Sequence, residues 1–166
     1  MKDKKHTKYI ALAAILCAVC ITIMIIALSL PSKTSQGNFI PPPFDASAVK
    51  GEPHIPDGLG YAEPYREGMG FCSGLCGNII IKGDMADIYF TNKTENEVWL
   101  MLRITDESGT LLAETGIIRP GEFVQSIKFR KNPENGQKII CKIMAYEPET
   151  YYSKGYFTLK TTVLCN

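Results

Sequence analysis

Hydrophobic and polar positions change their rhythm along the chain. No charged residue occurs between Lys8 and Lys33, and residues 9–30 read YIALAAILCAVCITIMIIALSL. At about 1.5 Å per helical residue, the run from Ile10 to Leu30 reaches roughly 30 Å, the thickness of a bilayer's hydrocarbon core. It predicts one transmembrane helix over 9–30. Residues 31–68 show neither a helical period nor sustained alternation, and they hold seven of the ten prolines. Proline fixes φ and removes a hydrogen-bond donor, so an extended linker is predicted there. From Phe71 onward the period is two. Alternating runs at 78–82, 85–91, 98–105, 110–115, 122–129, 137–147 and 156–164 are separated by turn-forming clusters such as DESG at 106–109 and KNPENG at 131–136. Each run reads as a strand with one apolar face, for example Ala86, Ile88 and Phe90, or Ile139, Cys141, Ile143 and Ala145.

About seven short strands with no helical period between them predict an all-β fold, an antiparallel immunoglobulin-like sandwich. The chain then divides into a cytoplasmic basic stub (1–8), a transmembrane signal-anchor helix (9–30), a Pro-rich extended linker (31–68) and an extracytoplasmic β-sandwich domain (69–166). The strand order, with Trp99 in the third strand, resembles bacterial immunoglobulin-like and fibronectin-type-III-like domains over about residues 77–164. The whole layout, with a strand such as KIMAYEPETYYSKG near its end, resembles short Gram-positive membrane-anchored surface proteins. That resemblance implies an extracytoplasmic location and no known activity. The chain departs from the immunoglobulin framework in its second strand, 85–91, which has no cysteine to meet Cys141.

Charge refines this layout. Lys2, Lys4, Lys5 and Lys8 against Asp3 give the stub +3 in a chain of net charge +1. The positive-inside rule then places the N-terminus in the cytoplasm and the C-terminal domain outside the cell membrane. An uncleaved anchor is expected, because a cleavable apolar segment usually runs only about 7–15 residues. Cleavage after Ser29, in Ala27-Leu28-Ser29, is the alternative. Lipidation at Cys17 or Cys20 lacks the small preceding residue it requires. The remainder of the chain is slightly acidic and offers no footprint for nucleic acid.

Four cysteines fall in the predicted ectodomain. Cys72 and Cys76 stand in a glycine-rich stretch before the first predicted strand, and Cys165 is penultimate in the sequence. A redox pair favours C-x-x-C at a helix N-terminus, and this spacing is one residue longer. A disulfide staple among Cys72, Cys76 and Cys165 is the expected arrangement, with Cys141 a buried thiol by strand parity. A metal site on these cysteines needs further ligands, and only His54 is at hand. The other histidine, His6, lies in the stub, so no nucleophile–base set can form within the domain. No carboxylate pair sits in an apolar setting that would shift its pKa. The chain is therefore expected not to be an enzyme and to use no cofactor.

The aromatic residues supply the remaining candidate chemistry. Trp99, Met144, Tyr146, Tyr151, Tyr152 and Tyr156 gather on outward positions of the third strand and the last hairpin. Such a face suits contact with protein or carbohydrate. The opposing expectation is that Leu59, Tyr61 and Tyr65 of the linker lie across it. The function expected is a single-pass, membrane-anchored binding or assembly module for an envelope protein or a cell-wall glycan. The alternative is a cell-surface thiol or metal-binding protein using Cys72, Cys76 and Cys165.

Overall fold

Alternation of apolar and polar residues is what builds the folded β-unit, and the computed structural model describes residues 9, 15–24, 39–64, 68 and 70–165. The chain forms two compact units, Met1–Ile40 and Pro41–Asn166. In the first, residues 15–24 are helical, and Leu16, Ile21 and Met24 are exposed. Among the described residues no helix is long and apolar enough to cross a membrane. The expected transmembrane helix over 9–30 is therefore not supported. The membrane attachment from Ile10 to Leu30 and the single-pass placement drawn from it are not supported either. Residues 1–8, 10–14 and 25–38 lie outside the described residues.

Among the described residues the second unit is all-β, with ten strands: β1 (Val49–Lys50), β2 (Tyr61–Ala62), β3 (Ser73–Cys76), β4 (Ile79–Lys82), β5 (Met85–Asn92), β6 (Trp99–Asp106), β7 (Leu111–Glu114), β8 (Glu122–Lys128), β9 (Lys138–Tyr146) and β10 (Ser153–Cys165). The expected antiparallel sandwich of about seven strands is corrected here. All ten strands belong to one curled, half-barrel sheet with the order β1-β8-β5-β4-β10-β9-β6-β7, and β3 joins β5 to β2. The physical reason lies in β10. Its residues up to Thr162 pair antiparallel with β9, and Val163–Cys165 then pair in parallel with Ile79–Ile81 of β4. One long strand thus carries the hydrogen-bond ladder from one arm of the curl into the other. The outer ends of the curl also meet, where the Arg130 N–H donates to the Leu112 carbonyl at 2.8 Å.

The concave faces of both arms supply the core. Ile88, Phe90 and Val124 from one arm pack with Leu100, Leu102, Ile104, Ile139 and Ile143 from the other. Each fully buried side chain of this size contributes about 1.5–3 kcal/mol. A bulge between Asp87 and Phe90 shifts the β5–β8 register, and Tyr89 takes a positive φ of 45° to accommodate it.

The proline-rich stretch takes part in this unit from Pro41 onward. Phe44 forms a parallel bridge to Ile117, while β1 caps the edge of β8 and β2 caps the edge of β3. The Tyr61 hydroxyl donates to Thr91 Oγ1 at 3.1 Å and lies over Gly74. A Cβ at residue 74 would stand 1.7 Å from that phenol oxygen, so the close approach of β2 to β3 depends on glycine there.

Candidate functional site

Strands β6, β9 and β10 lie side by side, and their registers stack the expected aromatic residues in rows. Trp99 is opposite Tyr146, and Tyr146 is opposite Ser153. In the next row Met101, Met144 and Tyr156 are neighbours, followed by Arg103, Lys142 and Thr158. Successive side chains of a strand point to opposite faces, so these rows share the convex face while Leu100, Ile143 and Phe157 point into the core.

The β9–β10 turn adds Tyr151 and Tyr152. Tyr151 adopts φ 59°, and its ring meets Trp99 edge-on with centroids 5.3 Å apart. Phe44 meets the same indole at 4.8 Å and 74°. Trp99 is thus held between two rings and is half-buried. The Arg119 guanidinium lies 3.6 Å from the centroid of Phe44. On the β10 side, Lys142 Nζ stands 3.9 Å from the centroid of Tyr156, and the Tyr146 hydroxyl donates to Met144 Sδ at 3.7 Å. Lys154 pairs with Glu147 at 3.0 Å, and Lys154 and Thr150 together hold the Glu147 carboxyl below the usual range.

The face is divided between a covered and an open part. Pro42 and Pro43 line a recess of about 430 Å³ with Met101, Arg103 and Glu114. Glu114 is neutralised there by Arg103 at 3.2 Å and by Arg130. Toward β10, Tyr152 is 72% and Tyr156 62% exposed. Phe44 and its neighbouring prolines therefore do the covering. Tyr61 lies instead against β3 on the other arm, and Leu59 accepts the Asn78 N–H there. Tyr65 lies outside the described residues.

The cysteines are dispersed, and all six are free thiols. The expected disulfide staple among Cys72, Cys76 and Cys165 is thereby corrected. Cys165 pairs in register with Ile81, five residues beyond Cys76 along the same chain direction. At about 3.3 Å per extended residue that is up to roughly 16 Å, beyond the roughly 7 Å Cα separation a disulfide tolerates. Cys72 is exposed, and its N–H donates to Asn96 Oδ1 at 2.8 Å. Cys165 Sγ donates to the Pro133 carbonyl at 3.7 Å. Among the described residues no three potential metal ligands cluster. His54 is exposed on the segment between β1 and β2.

Burial governs thiol chemistry here. Cys76 is pushed up to about 11 by burial and then by the charge of Asp87, and Cys141 to about 12 by burial alone, both from an ordinary 9.0. A thiol with a raised folded-state pKa holds its proton more tightly in the folded chain than in the unfolded one. Its contribution to stability is whole below pH 9 and is lost as pH climbs toward 11 and 12. Iodoacetamide at pH 8 is expected to modify Cys72 and Cys165 at least about 100-fold faster than Cys76 and Cys141. Mass spectrometry of the native chain reads this directly, and equal rates at all four would contradict the burial.

Asn92-Lys93-Thr94 has the form of a glycosylation acceptor, but Asn92 is fully buried. Its Nδ2 donates to the carbonyls of Val98 at 2.9 Å and Ile118 at 3.1 Å, which leaves no room for a sugar in the folded unit. Compared with protein-family models and with curated proteins, the chain matches none.

Proposed function

We propose that the chain is a non-catalytic binding module that engages a protein partner through the convex face of β6, β9 and β10. The observation that carries this reading is the pair of exposed rings, Tyr152 and Tyr156, standing beside Trp99, Met144 and Tyr146 on the same face, with Trp99 already held between two rings. Large apolar rings with a polar tip, set on a rigid sheet, bind at small entropic cost. A protein partner is favoured over a glycan because the same face already accepts a peptide segment: Phe44 packs on Trp99, and Pro42 and Pro43 line a recess with Met101.

Photo-crosslinking of the full chain in an extract of its source cells tests the reading. A defined protein adduct is expected with the native sequence. The double variant Tyr152→Ser/Tyr156→Ser is expected to weaken capture by about tenfold or more, since anchoring aromatic residues at an interface each cost about 2 kcal/mol or more when truncated. Its urea midpoint should stay unchanged, because both rings are exposed. Equal capture by both chains, or an adduct only with a polysaccharide, would overturn the assignment.

A further inference from the structure

We infer that the outward edge of β10, centred on Thr158, is a strand-addition site for an extended acidic peptide. The inference rests on the proposed protein-binding role of the adjoining face and names the form the partner takes. Val163 N–H donates to the Gln137 carbonyl at 3.0 Å, which fixes the odd-numbered residues of the regular part of β10 as those bonded toward β9. Backbone groups alternate direction along an antiparallel strand. The N–H and C=O groups of Tyr156, Thr158 and Lys160 therefore point to the other side. Among the described residues no strand pairs with β10 on that side before Val163. The same three residues are exposed.

This edge differs from the others. The fold caps β8 with β1 and β3 with β2, both extended segments of its own chain. Beside β10, in contrast, lies an apolar recess of about 230 Å³ lined by Ala62, Pro64, Leu75, Cys141 and Leu159. A strand added to β10 places alternate side chains on the convex face, in line with Tyr156, Thr158 and Lys160. Its intervening side chains turn inward, in line with Phe157 and Leu159, where the recess accepts a small apolar group. Main-chain hydrogen bonds supply affinity in such an arrangement, and the alternate side chains supply specificity.

Charge selects the occupant. Lys154 and Lys160 bracket the open stretch, and Lys142 stands one strand away over the Tyr156 ring. Glu147 is the carboxylate paired with Lys154. Lysines on an edge oppose pairing with another copy of the same edge. They favour a strand whose outward residues are acidic and whose inward residues are small and apolar.

The experiment uses the full chain and a capped seven-residue peptide alternating Asp and Val, with hydrogen exchange of residues 153–162 read by mass spectrometry. Exchange is expected to slow on adding the peptide, and a version N-methylated at alternate amides is expected to give no protection. Lys160→Glu is expected to weaken the effect by about tenfold. Protection by the N-methylated peptide, or equal protection by a Lys–Val peptide, would overturn strand addition of an acidic chain. Protection that rises with the concentration of the chain alone would assign the edge to a second copy instead. If the peptide leaves the edge unprotected while partner capture still depends on Tyr152 and Tyr156, the edge inference fails and the binding face stands. Loss of both effects removes both.

Discussion

Replacing Asn92 with leucine is expected to destabilise the β-unit by about 2–3 kcal/mol, a sizeable part of the 5–15 kcal/mol typical of a domain. Asn92 ends β5 and is fully buried. Its Nδ2 donates to the carbonyls of Val98 and Ile118, and its Oδ1 accepts from Asn96 Nδ2 at 2.6 Å. Its own carbonyl accepts the Gly121 N–H at 2.9 Å. One amide therefore holds the end of β5, the start of β6 and the segment leading into β8. Leucine is similar in volume but takes the side-chain donor from the buried Val98 carbonyl, an orphan that costs about 1–3 kcal/mol, while the Ile118 carbonyl keeps the Leu100 N–H at 3.0 Å. Urea unfolding followed by the fluorescence of Trp99 measures the change. Asn96→Ala, which removes only the partner of Oδ1 and of Cys72, should cost about 1 kcal/mol. A loss below about 1 kcal/mol for Asn92→Leu would show that the buried amide network is not what secures this corner.

Gly116→Ala is expected to detach residues 43–45 and to change the emission of Trp99. A Cβ on residue 116 would stand 2.5 Å from Asp45 N, 2.6 Å from Asp45 Cα and 2.8 Å from the Phe44 carbonyl carbon. These are backbone atoms and cannot swing aside. The same glycine donates its N–H to Asp45 Oδ2 at 2.7 Å, and the strand-like bonds Asp45 N to Ile117 O and Ile117 N to Pro43 O, both 2.9 Å, flank it. Forcing a methyl group into packed backbone costs about 1–3 kcal/mol. Here the cost is met most readily by releasing the segment rather than by unfolding the sheet. Phe44 then leaves the Trp99 ring, exposing the sole tryptophan of the chain to water. A red-shifted emission, with a urea midpoint lowered by no more than that cost, is the expected signature. An unshifted emission would mean that the segment stays docked despite the added atom.

Strict alternation was the legible part of this chain. Ile88 and Phe90, Leu100 through Ile104 at every second position, and Ile139 through Ala145 all lie on the buried side their parity indicates. The convex-face set was legible for the same reason, since Trp99, Tyr146, Met144 and Tyr156 follow from parity within three long strands. What was hidden depends on contacts far apart in sequence. Two-residue strands such as β1 and β2 have no period to detect, and only their pairing with Phe123 and Cys76 defines them. The bulge at Tyr89 adds a residue without any turn chemistry to announce it. The seating of Tyr151 on Trp99 requires a positive φ in a residue that rarely adopts one. The cysteine arrangement failed for a related reason: a bridge is decided by register between β4 and β10, and no local pattern encodes a parallel register. The apolar run 9–30 shows a further limit. Hydropathy and length argued for a span, and among the described residues no helix is long and apolar enough to cross a membrane.

The switch of β10 between two partners also has a temporal meaning. Thr161 donates to the Gly77 carbonyl across 84 residues of sequence, and Val163 lies in register with Ile79 beside it. Until β10 arrives, β4 and β9 have no common neighbour, and the apolar faces of Ile79, Ile139 and Cys141 stay open to water. Non-local pairings of this kind form slowly, because the closing entropy of a long loop comes before any contact rewards it. The β4–β9 side of the core is therefore sealed only once the strand that follows Tyr152 is in place.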